Sequence, residues 1–232
     1  MNSKILLMLQ LQKELNDTTN GEDWVKGITK NKKVINWKRC IYMECAEMID
    51  SFPWKHWKNI EVAPDWENLQ IEVVDVWHFV MSLAIENYFQ TMRGGIEDIA
   101  NNLSEMQDFT KIEIDTLAFA EQDAVMEKVE NIMRIALAKE SFEIETLFSE
   151  FFDLVVMSGL NLDTLYRLYV GKNILNQFRQ DHGYKDGSYI KVWDGEEDNV
   201  VMKRIWEENS DITPEQLYRE LAKVYLALTK SV

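Results

Sequence analysis

The stretch that decides the fold is Trp66–Gln90, which reads WENLQIEVVDVWHFVMSLAIENYFQ. Its apolar residues cover most of the circumference of a helix and do not alternate with the period of a β-strand. Pro64 precedes the stretch, and Asp65 is of a residue type that caps helix N-termini. This pattern predicts a long, buried α-helix.

The rest of the composition also favours helices. The 232 residues include only 3 prolines and 9 glycines, too few for the many turns of a β-sandwich or barrel. Hydrophobic residues make up 46%, enough for a packed core without disulfides or a structural metal. We predict an all-α fold, a single compact domain of around eight helices over residues 1–232, without significant sheet.

Helical periodicity marks the remaining elements. Further helices are predicted at Ser3–Asn16, Trp37–Phe52, Leu117–Lys139, Phe142–Met157, Leu162–Gln180, Asn199–Glu208 and Pro214–Leu228. Residues 96–115 are acidic, polar and weakly periodic, which predicts a mobile insertion or a loosely packed helix. The three glycines of Gly183–Asp198 indicate an ordered loop.

The charge and the cysteines limit the function classes. A formal charge of −15, from 40 acidic and 25 basic side chains, disfavours nucleic acid as a partner but allows a small phosphorylated ligand held through metal ions. Cys40 and Cys45 do not face each other on a helix, so a disulfide is not expected. The N-terminus lacks signal-peptide features, and no apolar stretch approaches the roughly 20 residues of a membrane span. We expect a cytoplasmic protein that is not bound to a membrane.

Two pairs of carboxylates are the first candidate site. Glu44 and Glu47 are three residues apart, as are Glu72 and Asp75. On a helix, this spacing puts both side chains on one face, with Cβ atoms about 5–6 Å apart. Because Mg²⁺ prefers oxygen ligands and bridges to phosphate oxygens, two facing pairs would hold several such ions.

Spacing alone does not distinguish these pairs from a solvated helix face. The same spacing recurs at Glu14/Asp17, Glu105/Asp108, Glu127/Glu130, Glu140/Glu143 and Glu150/Asp153. What separates the two pairs is their apolar surroundings, such as Ile41-Tyr42-Met43 before Glu44 and Val73-Val74 after Glu72. Two charges 4 Å apart repel by about 4 kcal/mol at an effective dielectric near 20, so four such carboxylates demand cations, protonation or both. A metal is the simpler explanation.

Basic residues concentrate near the C-terminus. Lys172, Arg179, Lys185 and Lys191 fall in one 20-residue stretch. Lys172 and Arg179 are two helical turns apart and share a face, whereas Lys185 and Lys191 lie among glycines whose backbone N–H groups can meet phosphate. The stretch suits a triphosphate clamp, and the alternative is a set of ordinary surface bases.

These motifs together resemble a known family. Glu44-x-x-Glu47 followed by Glu72-x-x-Asp75 resembles the metal-binding motif of the all-α NTP pyrophosphohydrolase superfamily. The flanking motifs resemble the dimeric dUTPases, especially their Campylobacter-like bacterial branch. Those motifs are Leu11-Gln12-x-x-Leu15-Asn16, Trp54-Lys55-His56-Trp57-Lys58, Asp75-x-x-His78-Phe79, Lys172-Asn-Ile-Leu-Asn176-Gln-Phe-Arg179, Tyr184-Lys185-x-Gly187-x-Tyr189-x-Lys191-x-Trp193 and Gly195-Glu-Glu-Asp-Asn199.

The resemblance implies an activity and a set of metal ligands. It implies a homodimeric dUTP diphosphatase that uses Mg²⁺, about two or three ions per active site, to hydrolyse dUTP and also dUDP to dUMP with a metal-activated water. Such an enzyme limits the incorporation of uracil into DNA. Glu44, Glu47, Glu72 and Asp75 are then the metal ligands, and Glu47 is also the general base.

The resemblance also implies the residues that contact the substrate. They are Gln12, Asn16, Trp57, His78, Phe79, Lys172, Asn176, Arg179, Tyr184, Lys185, Lys191 and Asn199. The amides of Gln12, Asn16 and Asn199 would read the uracil, Trp57 would wall the base pocket, and Phe79 would pack on the deoxyribose. The basic residues would hold the triphosphate.

Two other functions stay open on the sequence. A dCTP or broader dNTP pyrophosphatase of the same superfamily would keep the metal site and change the base contacts. A helical interaction protein would keep only solvated acidic faces and would bind no Mg²⁺.

Overall fold

The computed structural model describes residues 1–58, 62–115, 117–138, 142–209 and 212–229. Within these ranges the chain is all-α, as predicted, with nine α-helices, three short 3-10 helices and one two-stranded hairpin. The α-helices are α1 Ser3–Asn20, α2 Trp37–Asp50, α3 Trp66–Gln90, α4 Ile96–Glu105, α5 Gln122–Leu137, α6 Ile144–Met157, α7 Leu162–Asp181, α8 Asp198–Glu208 and α9 Pro214–Thr229. The 3-10 helices are Glu22–Lys26, Gln107–Glu113 and Tyr184–Asp186, and the strands are β1 Val192–Trp193 and β2 Glu196–Glu197.

The chain divides into two compact units, Met1–Tyr166 and Arg167–Val232, with the boundary inside α7. The assignment of residues 1–232 to a single domain stays a prediction. In the described parts of the chain, none of the helices is both long enough and apolar enough to cross a membrane.

Helix α3 forms the core of the first unit, and its bounds match the prediction. The Asp65 side chain caps it by accepting a hydrogen bond from the backbone N–H of Asn68 at 2.9 Å. Most of the helix is buried, including Trp77 at 0% exposure, and it packs against α1, α2, α4 and α6. The apolar residues that cover most of the helix are therefore explained by its several packing partners.

Helix α2 begins at the predicted residue, where the Asn36 side chain accepts a hydrogen bond from the backbone N–H of Arg39. It buries Ile41, Cys45 and Met48 along one face, and it packs against both α3 and α5. The helix ends at Asp50, two residues before the predicted end. Helix α2, which carries Glu44 and Glu47, is therefore packed against α3, which carries Glu72 and Asp75.

Residues 96–115 correct an expectation. They form α4 and the 3-10 helix Gln107–Glu113, and Ile99, Leu103 and Ile112 are 0% exposed. The segment is thus helical, as one of the two predicted alternatives had it, but several of its apolar side chains are fully buried. The apolar residues Ile96, Ile99, Ala100 and Leu103 do recur at the spacing of one helix face. The run is short and stands among acidic and polar residues, so the segment as a whole shows only weak periodicity.

Helix α5 begins later than predicted, at Gln122. The Ala120 backbone N–H donates a hydrogen bond to the Met157 carbonyl, and Phe119 forms an isolated bridge with Ser158. These bonds hold the preceding residues in an extended conformation against the end of α6. The predicted end of this helix, Lys139, lies outside the described residues.

The second unit is built from α8, α9, the hairpin and the part of α7 that follows Tyr166. Its core is an apolar and aromatic cluster that includes Phe178, Trp193 and Tyr225. The predicted loop Gly183–Asp198 is ordered and contains the hairpin, which turns at Asp194 (φ 49°) and Gly195 (φ 91°). Positive φ at both turn residues is typical of a two-residue hairpin, and Asp-Gly suits it.

Candidate functional site

Three carboxylates from α2 and α3 converge in the first unit. One oxygen each of Glu44, Glu72 and Asp75 lies within 4.8 Å of the other two, and all three side chains are half-buried. Glu72 and Asp75 share a face of α3 because they are three residues apart, and the packing of α2 on α3 adds Glu44. The predicted convergence of the two acidic pairs is therefore observed for three of the four residues.

This donor set fits a divalent cation. Mg²⁺ takes oxygen ligands at about 2.0–2.1 Å, which places neighbouring ligand oxygens about 3–4 Å apart. At an effective dielectric near 20, two carboxylates 4.8 Å apart repel by about 3–4 kcal/mol, so a bound cation would relieve a real cost. The three carboxylates therefore form an acidic cluster that could hold a metal ion.

Glu47, the fourth predicted ligand, is placed differently. It lies on α2 three residues after Glu44, but it is exposed and does not belong to the group of three. The side chain of Met48, next in the sequence, is fully buried. The roles of Glu47 as ligand and as general base stay predictions.

The two cysteines of α2 do not compete as metal ligands. Both are free thiols. Burial, and next the negative charge of Glu44, raise the pKa of Cys45 to about 12. The same causes raise the pKa of Cys40. Neither thiol belongs to the group of three converging residues, and Mg²⁺ prefers oxygen to sulfur ligands.

A buried polar network joins α1 to α3. Its first residue on α3, His78, follows Asp75 by three positions in the sequence. His78 Nδ1 donates to Gln12 Oε1 at 2.6 Å, because an amide oxygen can only accept. The amides of Gln12 and Asn16 both donate to Ser82 Oγ, at 3.1 and 2.8 Å, and Ser82 donates to the His78 carbonyl. Gln12 is 2% exposed and Asn16 is 4% exposed. The structure thus brings together three predicted substrate residues.

The predicted aromatic residues fall in two places. Phe79 is half-buried and stacks on Trp37, with ring centroids 6.1 Å apart, and Trp37 in turn meets the edge of Trp24. Trp57 is 63% exposed and packs edge-on against Trp54 and His56. Phe79 is therefore packed against another ring, whereas Trp57 presents most of its surface to solvent.

In the second unit, two of the four predicted basic residues, Lys172 and Arg179, lie in a buried network. Arg179 donates through Nε and Nη2 to the two oxygens of Asp198, at 2.8 and 2.7 Å, and through Nη1 to Asn176 at 3.2 Å. Lys172 Nζ donates to Asn199 Oδ1 at 2.8 Å, and that oxygen also accepts from Arg179 at 3.3 Å. The spacing of Lys172 and Arg179 correctly predicts that they lie on one face of α7.

The family follows from the sequence match. A family model described as dUTPase matches residues 4–184, which include the carboxylate cluster, the α1–α3 network and the basic residues of α7. The chain belongs to the dUTPase family. No curated protein matches the chain. As a member of this family the chain is an enzyme, a hydrolase of the dUTP diphosphatase class with a nucleotide as its substrate.

The remaining predicted residues of this dUTPase family member lie near the surface of the second unit. Tyr184 is 49% exposed, and its ring centroid lies 5.8 Å from the Arg179 guanidinium. Lys185 and Lys191 are exposed, and Lys191 pairs with Glu197 at 3.5 Å. The structure therefore groups Tyr184 with Arg179 and leaves these two lysines accessible.

Sequence reasoning missed two residues at the centres of these networks. Ser82 lies one helical turn after His78, but a lone serine in an apolar helix carries no distinctive signal. Asp198 lies inside a quoted motif, and only its two hydrogen bonds from Arg179 distinguish it from its acidic neighbours.

Proposed function

We propose that this chain hydrolyses dUTP to dUMP and pyrophosphate in a Mg²⁺-dependent reaction. The observation that carries the proposal is the convergence of Glu44, Glu72 and Asp75 within 4.8 Å, in a chain of the dUTPase family. We extend the proposal to dUDP as a second substrate and to the removal of dUTP before uracil enters DNA.

In this proposal the three carboxylates hold Mg²⁺, with Glu47 as a fourth ligand. When bound, Mg²⁺ neutralises charge on the phosphates and makes a bound water more acidic. Glu47 accepts a proton from the attacking water as the new P–O bond forms. The water attacks the β-phosphorus, as the resemblance implies. The bond that breaks joins this phosphorus to the oxygen that bridges it to the α-phosphate. The dUMP leaves with the electron pair, and the water oxygen remains in the pyrophosphate.

Uracil selection is assigned to the amides of α1. Uracil presents an N–H donor between two carbonyl acceptors, and an amide offers the matching acceptor and donor. The support is that His78 and Ser82 fix the orientation of Gln12 and Asn16, so that these amides do not rotate freely. Phe79, held against Trp37, would form the wall beside the deoxyribose, with Trp57 beside the base.

The contacts assigned to the second unit rest on the sequence motif. The basic residues would act at the phosphates, and they are Lys172, Arg179, Lys185 and Lys191. Asn176 and Tyr184 would complete the pocket or contact the sugar-phosphate, and Asn199 would act at the base. A homodimer and a place in the Campylobacter-like branch rest on the same resemblance. A cytoplasmic location rests instead on the two free thiols.

A pyrophosphate-release assay tests the proposal. Wild-type protein is given dUTP, dCTP, dTTP and UTP, each with Mg²⁺ and with a chelator. We expect release from dUTP in Mg²⁺, at least about a hundredfold slower release from the others, and none with the chelator. Equal rates on all four would support a broad dNTP pyrophosphatase, and no release from any would remove the activity.

A further inference from the structure

We propose that Asp198 is a positioning residue that holds Arg179 directly, and Lys172 through Asn199, in the geometry that binds phosphate. The inference deepens the proposed function and rests on it. Asp198 is the most deeply buried charged residue described in the second unit, at 0% exposure, and it opens α8.

The hydrogen bonds fix the Arg179 guanidinium in its plane. Asp198 accepts from Nε and Nη2 in a fork, and a fork of this kind specifies orientation as well as adding energy. Nη2 also meets Asn199, and Nη1 meets Asn176. With both ends of the group held, the guanidinium cannot rotate without breaking a bond to a charge.

Asp198 also ties this arginine to two other segments. The Tyr189 hydroxyl donates to Asp198 Oδ2 at 2.8 Å, and the Asp198 backbone N–H donates to the Lys191 carbonyl at 3.0 Å. Burial, and next the Asp198 charge, raise the pKa of Tyr189, so its hydroxyl stays protonated and continues to donate. One carboxylate therefore connects α7, the Tyr184–Tyr189 segment and α8.

Stability alone is a weak reason for such a network. A buried ion pair gains little over apolar packing, because both charges lose their hydration. The same unit has an apolar and aromatic core, which includes Phe178 and Trp193 and against which Tyr189 packs. Side chains that must meet a ligand in a set geometry, by contrast, need a locked layer of partners behind them.

The unit supplies a matched control. The Tyr218 hydroxyl donates to Asp181 at 2.8 Å, which is a second tyrosine–aspartate pair, but an exposed one with no arginine in it. Asp198→Asn and Tyr189→Phe are therefore compared with Asp181→Asn and Tyr218→Phe. The readouts are KM and kcat for dUTP, the affinity for α,β-imido-dUTP and for inorganic pyrophosphate, and the thermal unfolding temperature.

The sign of the change separates positioning from simple charge. Asp198→Asn removes a negative charge, which by itself would tighten the binding of an anion. We expect the opposite: KM about tenfold higher or more, both ligands bound correspondingly more weakly, and kcat changed less than KM. Tyr189→Phe is expected to raise KM at least about threefold, and the two control variants to stay within about twofold.

Three outcomes would overturn the proposal. They are unchanged or tighter pyrophosphate binding in a folded Asp198→Asn protein, a loss of kcat alone in proportion to the unfolded fraction, and equal KM changes in the Asp181→Asn control. Should Asp198→Asn not fold, Tyr189→Phe decides instead. Unchanged KM and unchanged pyrophosphate binding in that variant would overturn the proposal. Wild-type protein that releases no pyrophosphate from dUTP would instead remove the proposed function, and binding of inorganic pyrophosphate would still test the positioning.

Discussion

Carboxylates of the same type differ in what surrounds them. Glu44 and Glu47 share the spacing that predicts a common helix face, yet only Glu44 joins Glu72 and Asp75 within 4.8 Å. A helix face is wide, and Glu47 is exposed on α2. Spacing can therefore predict that acids converge, but the packing of α2 on α3 decides which of them do.

Glu47→Gln tests the residue proposed as general base. We expect kcat for dUTP to fall about a hundredfold or more, because the variant cannot accept a proton from water. The unfolding temperature should not change, since the side chain is exposed and an exposed substitution costs little.

Glu14→Gln is the matched control for Glu47→Gln, because Glu14 is an exposed glutamate on another helix. It should leave kcat unchanged. Activity retained in Glu47→Gln would take the general-base role away from Glu47.

Glu86 predicts a pH dependence of stability. Burial raises the pKa of this α3 side chain from 4.5 to about 7. The folded state therefore holds a proton that the unfolded state has already lost between these values, so the contribution of Glu86 is greatest below pH 4.5 and is lost as the pH rises through about 7.

Glu86→Gln mimics the protonated form. We expect it to raise the unfolding temperature relative to wild type at about pH 8 and to change it little at about pH 4.5. Thermal unfolding at the two pH values measures this, with exposed Glu127→Gln as the control. An equal shift at both values would contradict the linkage.

At the scale of the element, local signals predicted some helix ends and missed others. Asp65 caps α3 as predicted, and α2 begins at the predicted residue after its Asn36 cap, because a cap depends on residues three positions away. The start of α5 was placed too early, since the Ala120 hydrogen bond to Met157 comes from a distant segment. Residues 96–115 gave weak periodicity although Ile99 and Leu103 are fully buried.

The α1–α3 network predicts that a change at Ser82 affects both stability and substrate binding. Ser82→Ala removes the hydroxyl that accepts from both Gln12 and Asn16. Losing it leaves buried amide donors without this acceptor, so we expect a stability loss of about 1–3 kcal/mol and a higher KM for dUTP. Chemical denaturation and steady-state kinetics measure the two effects.

Thr18→Ala is the control for Ser82→Ala. Its hydroxyl makes the same type of bond, to the carbonyl four residues earlier, but on the exposed side of α1. It should change stability by no more than about 0.5 kcal/mol. Equal losses in the two variants would show that the buried network adds nothing.

For the whole molecule, the fold class and the residue types of the candidate site could be predicted from the sequence. The contacts that hold those site residues in place could not. Composition and the apolar stretch at Trp66–Gln90 were sufficient for an all-α fold. Ser82 and Asp198 could not be identified in advance, because their importance lies in hydrogen bonds to residues 66 or 70 positions away and 19 positions away, respectively. No local pattern carries that information.

Association is also a property of the whole molecule. We predict that the chain sediments as a homodimer, at twice its 27.3 kDa. Analytical ultracentrifugation over a range of protein concentrations tests this prediction. A species of 27.3 kDa at all of them would contradict the dimer without affecting the metal site.

Calorimetric titration of Mg²⁺ into the protein with saturating α,β-imido-dUTP tests the carboxylate cluster most directly. Wild type is compared with Glu72→Gln, Asp75→Asn and the Glu14→Gln control. We expect Mg²⁺ to bind wild type and the control alike, and to bind each cluster variant at least about tenfold more weakly, because each loses a charged oxygen ligand. Identical Mg²⁺ affinity in all four proteins would contradict the assignment of Glu44, Glu72 and Asp75 as a metal site.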